Sequence, residues 1–310
     1  MERVFLIGGS GFVGKNFINL FDKKYDIYVF DRYIDNDFLS KYDAKSCKLD
    51  LVNDKIPKDY PTPDYIINLS SIINTSDDLC LFDQLISSNL KVLLNLYEQF
   101  KDCKSLKLFI QFGSSEEYGT AKSPFKEDER EEPVTPYALV KQLVVNTSMM
   151  LNKNYNFPIM AVRPGNLFGK YQNPKRFIPY IITQLYKNEP LEVSLCEQKR
   201  DFMYCDDFVA AIVALLDNYD KCRGNIVNVS SGRSYSLRYL IELCSSLIGS
   251  KSEIHYGTVP YKANEIMDLN CSISKFTIIT SDSLQSNLKE GIEACIEFYV
   301  ENIKSNESKV

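Results

Sequence analysis

Val4-Phe5-Leu6-Ile7-Gly8-Gly9-Ser10-Gly11-Phe12-Val13-Gly14 decides the fold of this chain. Four apolar residues in a row, stopping at glycine, predict a short strand buried on both faces. Gly8, Gly11 and Gly14 recur at three-residue spacing, and apolar residues continue at helical spacing through Phe21. Glycines in such a strand–turn–helix permit a tight turn, close approach of a pyrophosphate to the backbone, and close helix–strand contact. The helix start offers unpaired N–H groups and a positive dipole end to phosphate. The stretch therefore predicts a dinucleotide site cradled by Gly8, Gly11, Phe12, Val13 and Gly14.

Outward from this turn, strands and helices alternate. Apolar runs at Ile27–Phe30, Ser46–Leu49, Tyr65–Leu69, Leu108–Phe112 and Ile159–Val162 predict further strands, and Ile226–Val229 a seventh. Leu79–Phe100 predicts one long helix with apolar residues on more than one face. The alternation predicts an α/β, Rossmann-type doubly wound parallel sheet. After Pro164 it weakens, which predicts a smaller C-terminal α/β substrate lobe. The expected division is 1–164, with 206–230 returning to it, against 165–310. The polar tail Asn302–Val310 is expected to fray.

Asp31 ends the second strand, 23 residues beyond Gly8. An acid there accepts ribose hydroxyls and repels a 2′-phosphate, which favours NAD over NADP. Arg32 beside it is the competing signal, because Arg can hold that phosphate. Asp50 and Leu51 follow the third strand, where they would meet the adenine end; a solvated loop acid is the alternative for Asp50. Leu69 ends the fourth strand and Ser70 and Ser71 follow it, where they would line the cofactor; a plain loop role is the alternative for the two serines.

Tyr137-Ala-Leu-Val-Lys141 places a phenol and an ammonium one helical turn apart. An adjacent ammonium favours the phenolate, so it lowers the tyrosine pKa towards that of a general base. Net charge is −5, which argues against a general nucleic-acid surface. No apolar run is long enough to span a membrane. Nine cysteines without a CxxC pair, and a single histidine, His255, give no support to a metal site. The odd cysteine count and an N-terminus without a targeting pattern favour reduced thiols in the cytoplasm.

Further segments carry a family resemblance over nearly the whole chain. They are Phe112-Gly-Ser-Ser-Glu-Glu-Tyr-Gly119, Asn89 in Ser88–Asn95, Arg163-Pro-Gly-Asn-Leu-Phe-Gly169 and Arg200-Asp-Phe-Met-Tyr-Cys-Asp-Asp207. With the glycine turn and the Tyr137–Lys141 pair, the set resembles the extended short-chain dehydrogenase/reductase family, in its NAD-dependent nucleotide-sugar epimerase/dehydratase group. The resemblance implies Tyr137 as base, Lys141 as its pKa partner and ribose anchor, and Ser114 as the partner of the reacting sugar hydroxyl. It implies Ser115, Asn166, Arg200 and Lys262 along the nucleotide-sugar. For Arg200 the structural alternative is an ion pair with Asp206 or Asp207. The shared first step would be oxidation at sugar C4, as in a 4-dehydrogenase or 4-epimerase. Ser114-Ser115-Glu116 is also similar to the segment of 4,6-dehydratases and decarboxylases, in which Glu116 would act at C5. Glu117 departs from the family's usual Val, and Val140 from the Ser that often precedes the lysine. The resemblance further implies a homodimer paired through the Leu79–Phe100 and Tyr137–Leu151 helices, and a setting in surface-polysaccharide sugar synthesis.

Overall fold

The main sheet contains β1 (Glu2–Ile7), β2 (Tyr25–Asp31), β3 (Lys45–Lys48), β4 (Tyr65–Asn68), β5 (Leu108–Phe112) and β6 (Ile159–Pro164). Three further strands are β7 (Asn166–Phe168), β8 (Leu191–Val193) and β9 (Lys199–Tyr204). The chain then re-enters the main sheet as β10 (Ile226–Val229). The order is β10-β6-β5-β4-β1-β2-β3 and every pairing is parallel. This computed structural model describes residues 1–74, 76, 78–261, 265–284 and 286–308.

The uninterrupted apolar run of β1 has a direct cause. Val4 and Leu6 point to one face and pack in a core with Phe17 and Ile18 of α1 (Phe12–Phe21). Phe5 and Ile7 point to the other face and pack with Leu93, Leu96, Val140 and Val144. Both sides of the strand are dry, so alternation disappears. A short helix, α2 (Asn36–Leu39), links β2 to β3, with Asp35 accepting from the Phe38 N–H at its start.

The helical path from 79 to 100 departs from the single regular helix expected. It runs as a 3-10 turn at Leu79–Leu81, α3 (Phe82–Ile86), a π turn at Ser87–Lys91 and α4 (Val92–Phe100). Buried Asn89 sits in the π turn, its Nδ2 donating to the Leu85 carbonyl (2.9 Å) and the Ser88 hydroxyl (3.0 Å). A side chain that bonds back onto the ladder competes with its regular spacing. By contrast α5 (Pro136–Tyr155) is regular from its start, where Thr135 accepts from the Ala138 N–H and proline takes the first turn.

Beyond Pro164, β7 pairs with β9, and β9 pairs with β11 (Ser234–Ser236) and β13 (Asp268–Leu269). A two-stranded piece joins β8 to β12 (Ile254–Tyr256). Helices α6 (Phe177–Tyr186) and Leu237–Ile248 pack on these strands in a separate apolar core. Helix α7 (Cys205–Asp217) returns to the main sheet and packs beside α1. The last helix, Leu288–Glu307, runs through most of the tail expected to fray. Ile292, Cys295 and Tyr299 anchor it in the second core, and the Lys and Glu residues beyond sustain helix without burial.

Candidate active site

Strands β1 and β4 are neighbours, but α1 and α4 leave them for opposite faces of the sheet. A crevice opens where the connections diverge, beyond the carboxyl ends of the strands. Here it is a cleft of about 350 Å³.

Its floor is the glycine turn. Gly8 has φ +73°, and its N–H donates to the Phe30 carbonyl at 2.8 Å. A Cβ on Gly8 would lie 2.9 Å from the Ser70 nitrogen, and one on Gly14 2.2 Å from the Gly9 carbonyl oxygen. The turn therefore needs glycine for conformation at the first position and for helix–strand contact at the second. Gly11 caps α1 without a side-chain acceptor, so the first-turn N–H groups remain directed at the cleft. Phe12 and Val13 complete this wall.

Asp31 also lines the cleft. Its Oδ2 accepts from the Ser10 N–H at 3.1 Å and its Oδ1 from the Tyr33 N–H at 3.3 Å. The carboxylate is held against the glycine turn by main-chain donors, while Arg32 lies exposed at the rim. Asp50 and Leu51 line the same end. Asp50 is engaged in its own turn, accepting from the Val52 N–H (3.1 Å) and the Asn53 amide (3.1 Å). Leu69, Ser70 and Ser71 form the opposite wall, with Ser70 donating to Asn68 Oδ1 through its N–H at 3.2 Å and its hydroxyl at 2.5 Å. A tight glycine cradle, an open helix start and a fixed acid at the end of β2 together fit NAD.

Tyr137 and Lys141 project from the first turns of α5 into the other end of the cleft. Both are buried, and Lys141 Nζ lies 5.8 Å from the Tyr137 ring centre. That Nζ donates to the Phe112 carbonyl at 3.0 Å, anchoring the helix to the end of β5. Two residues further on, Ser114 begins a 3-10 turn at Ser115–Tyr118, and its hydroxyl accepts from the Glu116 N–H at 3.2 Å. The Ser114 and Ser71 hydroxyls both act on the Tyr137 phenol.

The pair's electrostatics differ from expectation. Burial, then the charge of Glu116, pushes the Tyr137 phenol up, and the Ser114 and Ser71 hydroxyls oppose this. Burial pulls the Lys141 amine down to about 8, with Glu117 opposing. Desolvation disfavours the charged form of both groups. Lys141 Nζ stands 5.8 Å from the ring centre and does not offset the phenol's burial. The lowered tyrosine pKa expected from the spacing is therefore not found in this geometry.

Glu116 is half-buried, and its charge acts on both Tyr137 and Arg200. Ser115 beside it is buried. Arg200, on β9, donates to the Ile266 carbonyl at 2.5 Å and pairs with Glu265, not with Asp206 or Asp207. Those two acids lie in the first turn of α7. Asn166, on β7, keeps its Nδ2 without a hydrogen-bond partner among the described residues. Lys262 lies outside the described residues.

Sequence reasoning missed the support under this site. Glu117 is fully buried, accepts from the Ser114 N–H at 2.6 Å and pairs with Arg163 Nε at 2.8 Å. Arg163 also pairs with Glu131, which reaches in from the 119–136 loop. Adjacent acids at the end of a buried strand were the available signal, since a carboxylate there requires a cation. Among the described residues no helix is long and apolar enough to cross a membrane, and no acid, histidine and cysteine cluster could hold a metal ion.

Comparison with known proteins agrees with this construction. The chain is 28% identical to UDP-glucuronate 4-epimerase of Thermodesulfobacterium geofontis over 71% of this chain and 67% of that protein. It is 29% identical to CDP-abequose synthase of Salmonella muenchen, over 43% of this chain and only 45% of the synthase. UDP-glucuronic acid 4-epimerase of Bacillus cereus, solved with UDP-glucuronic acid and NAD, superposes with a TM-score of 0.88 at 22% identity, covering 97% of this chain and 99% of that one. The family model for the NAD dependent epimerase/dehydratase family matches residues 4–230, which span the glycine turn, the Tyr137–Lys141 helix and the strand that closes the main sheet. The chain belongs to that family.

Proposed function

We propose that the protein oxidises a nucleotide-sugar at C4 with NAD, and that the net reaction is C4 epimerisation. The observation that carries this is the meeting of Tyr137, Lys141 and Ser114 at one end of a cleft whose other end is the glycine cradle. NAD bound in that cleft supplies the hydride acceptor. Ser114 orients the C4 hydroxyl and Tyr137 takes its proton. Lys141 holds its turn of α5 against the Phe112 carbonyl and, from that position, reaches a cofactor ribose.

Residues 1–164, with 206–230, hold NAD in this reading, and 165–310 receive the nucleotide-sugar. Arg200, half-buried and paired with Glu265, supplies a guanidinium for the diphosphate, and Asn166 an amide donor. Lys262 is assigned to the same end. Asp31 selects NAD.

One observation favours a second reading. The charge of Glu116 acts on both the Tyr137 phenol and Arg200, which supports a role for this carboxylate close to the base. In a 4,6-dehydratase it would act at C5. The product decides. Incubation with UDP-, GDP-, dTDP- and CDP-sugars should give an isobaric product of altered retention on liquid chromatography–mass spectrometry. Loss of water would support the Glu116 reading, and loss of two hydrogens a 4-dehydrogenase. Tyr137→Phe should lower turnover by about 10²–10⁴-fold; wild-type turnover would remove Tyr137 as the base.

We assign a homodimer to the enzyme. Leu139, Leu143 and Met150 on α5, with Ile86 and Leu94 on the 79–100 path, are exposed apolar residues on adjoining helices. A cytoplasmic setting in polysaccharide sugar synthesis completes the proposal.

A further inference from the structure

We propose that Glu265 competes with the substrate's diphosphate for Arg200. Its carboxylate holds the guanidinium while the site is empty and gives it up when the diphosphate arrives. The inference rests on the place given above to Arg200 at the diphosphate end.

The second sheet builds this pairing. β13 runs parallel to β9, with Asp268 opposite Lys199 and Leu269 opposite Arg200, and the Lys199 N–H donates to the Met267 carbonyl at 2.8 Å. Glu265 and Ile266 lie just ahead of β13, on the same side of β9. Leu269 and Cys271 are buried. Phe125 ties the same stretch down, its N–H donating to the Asn270 carbonyl and its carbonyl accepting from the Ser272 N–H, both at 2.8 Å. The contact at Arg200 is thus set by strand pairing. A glutamate can still leave it by rotating about its own side-chain bonds, with that pairing intact.

Arginine carries five N–H donors in a fixed fork. In Arg200, Nη1 donates to the Lys199 carbonyl at 2.8 Å and the Ile266 carbonyl at 2.5 Å, and Nη2 donates to Glu265. The two carbonyls orient the fork without neutralising it; the carboxylate does both. A carboxylate and a phosphate engage a guanidinium through the same geometry, so the two anions contend for the Nη2 side. The pair is not sealed from a ligand, because each side chain keeps 16% of its surface exposed. The charges of Glu116 and Asp268 act on Arg200 as well. A diphosphate brought among these carboxylates meets repulsion unless one withdraws, and Glu265 is the one seated on the fork. The empty site therefore keeps an oriented guanidinium, while the bound anion is held less tightly than an unopposed arginine would hold it. That favours release of the product.

The test is isothermal titration of the full-length protein with inorganic pyrophosphate, with NAD in excess so that the glycine cradle is filled. Glu265→Gln keeps the shape and a neutral acceptor for Nη2 but removes the charge. It should bind pyrophosphate roughly tenfold more tightly than wild type. Glu265→Ala should shift the affinity in the same direction. A glutamate that only shapes its segment, or that assists the ligand, gives the opposite result. Equal or weaker binding by a Glu265→Gln protein with native circular dichroism would overturn the proposal, as would pyrophosphate binding to neither protein. Arg200→Met separates this inference from the reading beneath it. Weakened binding in Arg200→Met beside an unimproved Glu265→Gln sinks the competition alone and leaves Arg200 at the diphosphate. Unchanged binding in Arg200→Met removes that place and the competition with it. No sugar is turned over in this titration, so a failed sugar panel leaves its result standing.

Discussion

Gly14→Ala should damage the fold, although alanine is ordinarily the better helix residue. A Cβ on Gly14 would lie 2.2 Å from the Gly9 carbonyl oxygen and 2.5 Å from Gly9 Cα. A carbon and a carbonyl oxygen need about 3.3 Å, so α1 would have to withdraw roughly 1 Å from the end of β1. Helix propensity returns about 1 kcal/mol. Overpacking costs about 1–3 kcal/mol, and an obstacle made of backbone puts this case at the top of that range. The net loss is about 2 kcal/mol, or a fall of roughly 3 °C in melting temperature for a chain of this length. Gly11→Ala is the control. Its Cβ meets only the Gly8 carbonyl oxygen, at 3.3 Å, with φ −77° already suited to alanine. That variant should melt near wild type yet bind NAD more weakly, because the methyl group enters the cleft. Thermal denaturation and isothermal titration with NAD read the two effects separately. A Gly14→Ala protein melting at or above wild type would refute the close-contact account of the third glycine.

Three other outcomes test different parts of the molecule. Burial holds the Lys141 pKa at about 8 in the folded chain, below the usual lysine value of 10.5, so the unfolded chain binds more protons between those values and stability from this group rises with pH across that window. Lys141→Met removes the rise, and urea unfolding should show its stability relative to wild type falling by about 2 kcal/mol between pH 7.5 and 9.5; a constant difference would contradict the buried-ammonium account. Asp31→Ser takes the fixed carboxylate from the end of β2, and the preference for NAD over NADP in titration calorimetry should drop at least about tenfold. Leu143→Glu places a charge on the exposed apolar face of α5 and should give a monomer in light scattering; an intact dimer would mean that the subunits pair elsewhere.

The doubly wound sheet was legible because burial on both faces leaves unbroken apolar runs, and Val4–Ile7 can be recognised without any partner strand. The cofactor end of the cleft was legible for a related reason. Gly8, Gly14 and Asp31 act through backbone conformation and a fixed distance from one strand end, both of which are local in sequence. Long-range partnerships were not. Nothing local links Glu117 to Arg163, 46 positions later, or Arg200 to Glu265, 65 positions later. The π turn at Ser87–Lys91 was hidden as well, because it arises from how Asn89 bonds back to Leu85 rather than from the apolar pattern. Four-residue spacing brought Tyr137 and Lys141 together, but their ionisation is governed by burial and by acids on another element.

The crossings between the two sheets have a mechanical consequence. Strand β6 ends at Pro164 and β7 begins at Asn166, so the chain passes from one sheet to the other through Gly165 alone. The return has no connector, since β9 ends at Tyr204 and α7 begins at Cys205. Gly165 is wedged as well, for a Cβ there would come 2.8 Å from Ser230 Cβ. A swinging hinge needs residues that absorb large backbone rotations, and these joints have almost none to give. These two joints therefore fix β7 and α7 against the main sheet, and any relative motion of the two sheets has to be absorbed in the longer crossing at 230–233, between β10 and β11.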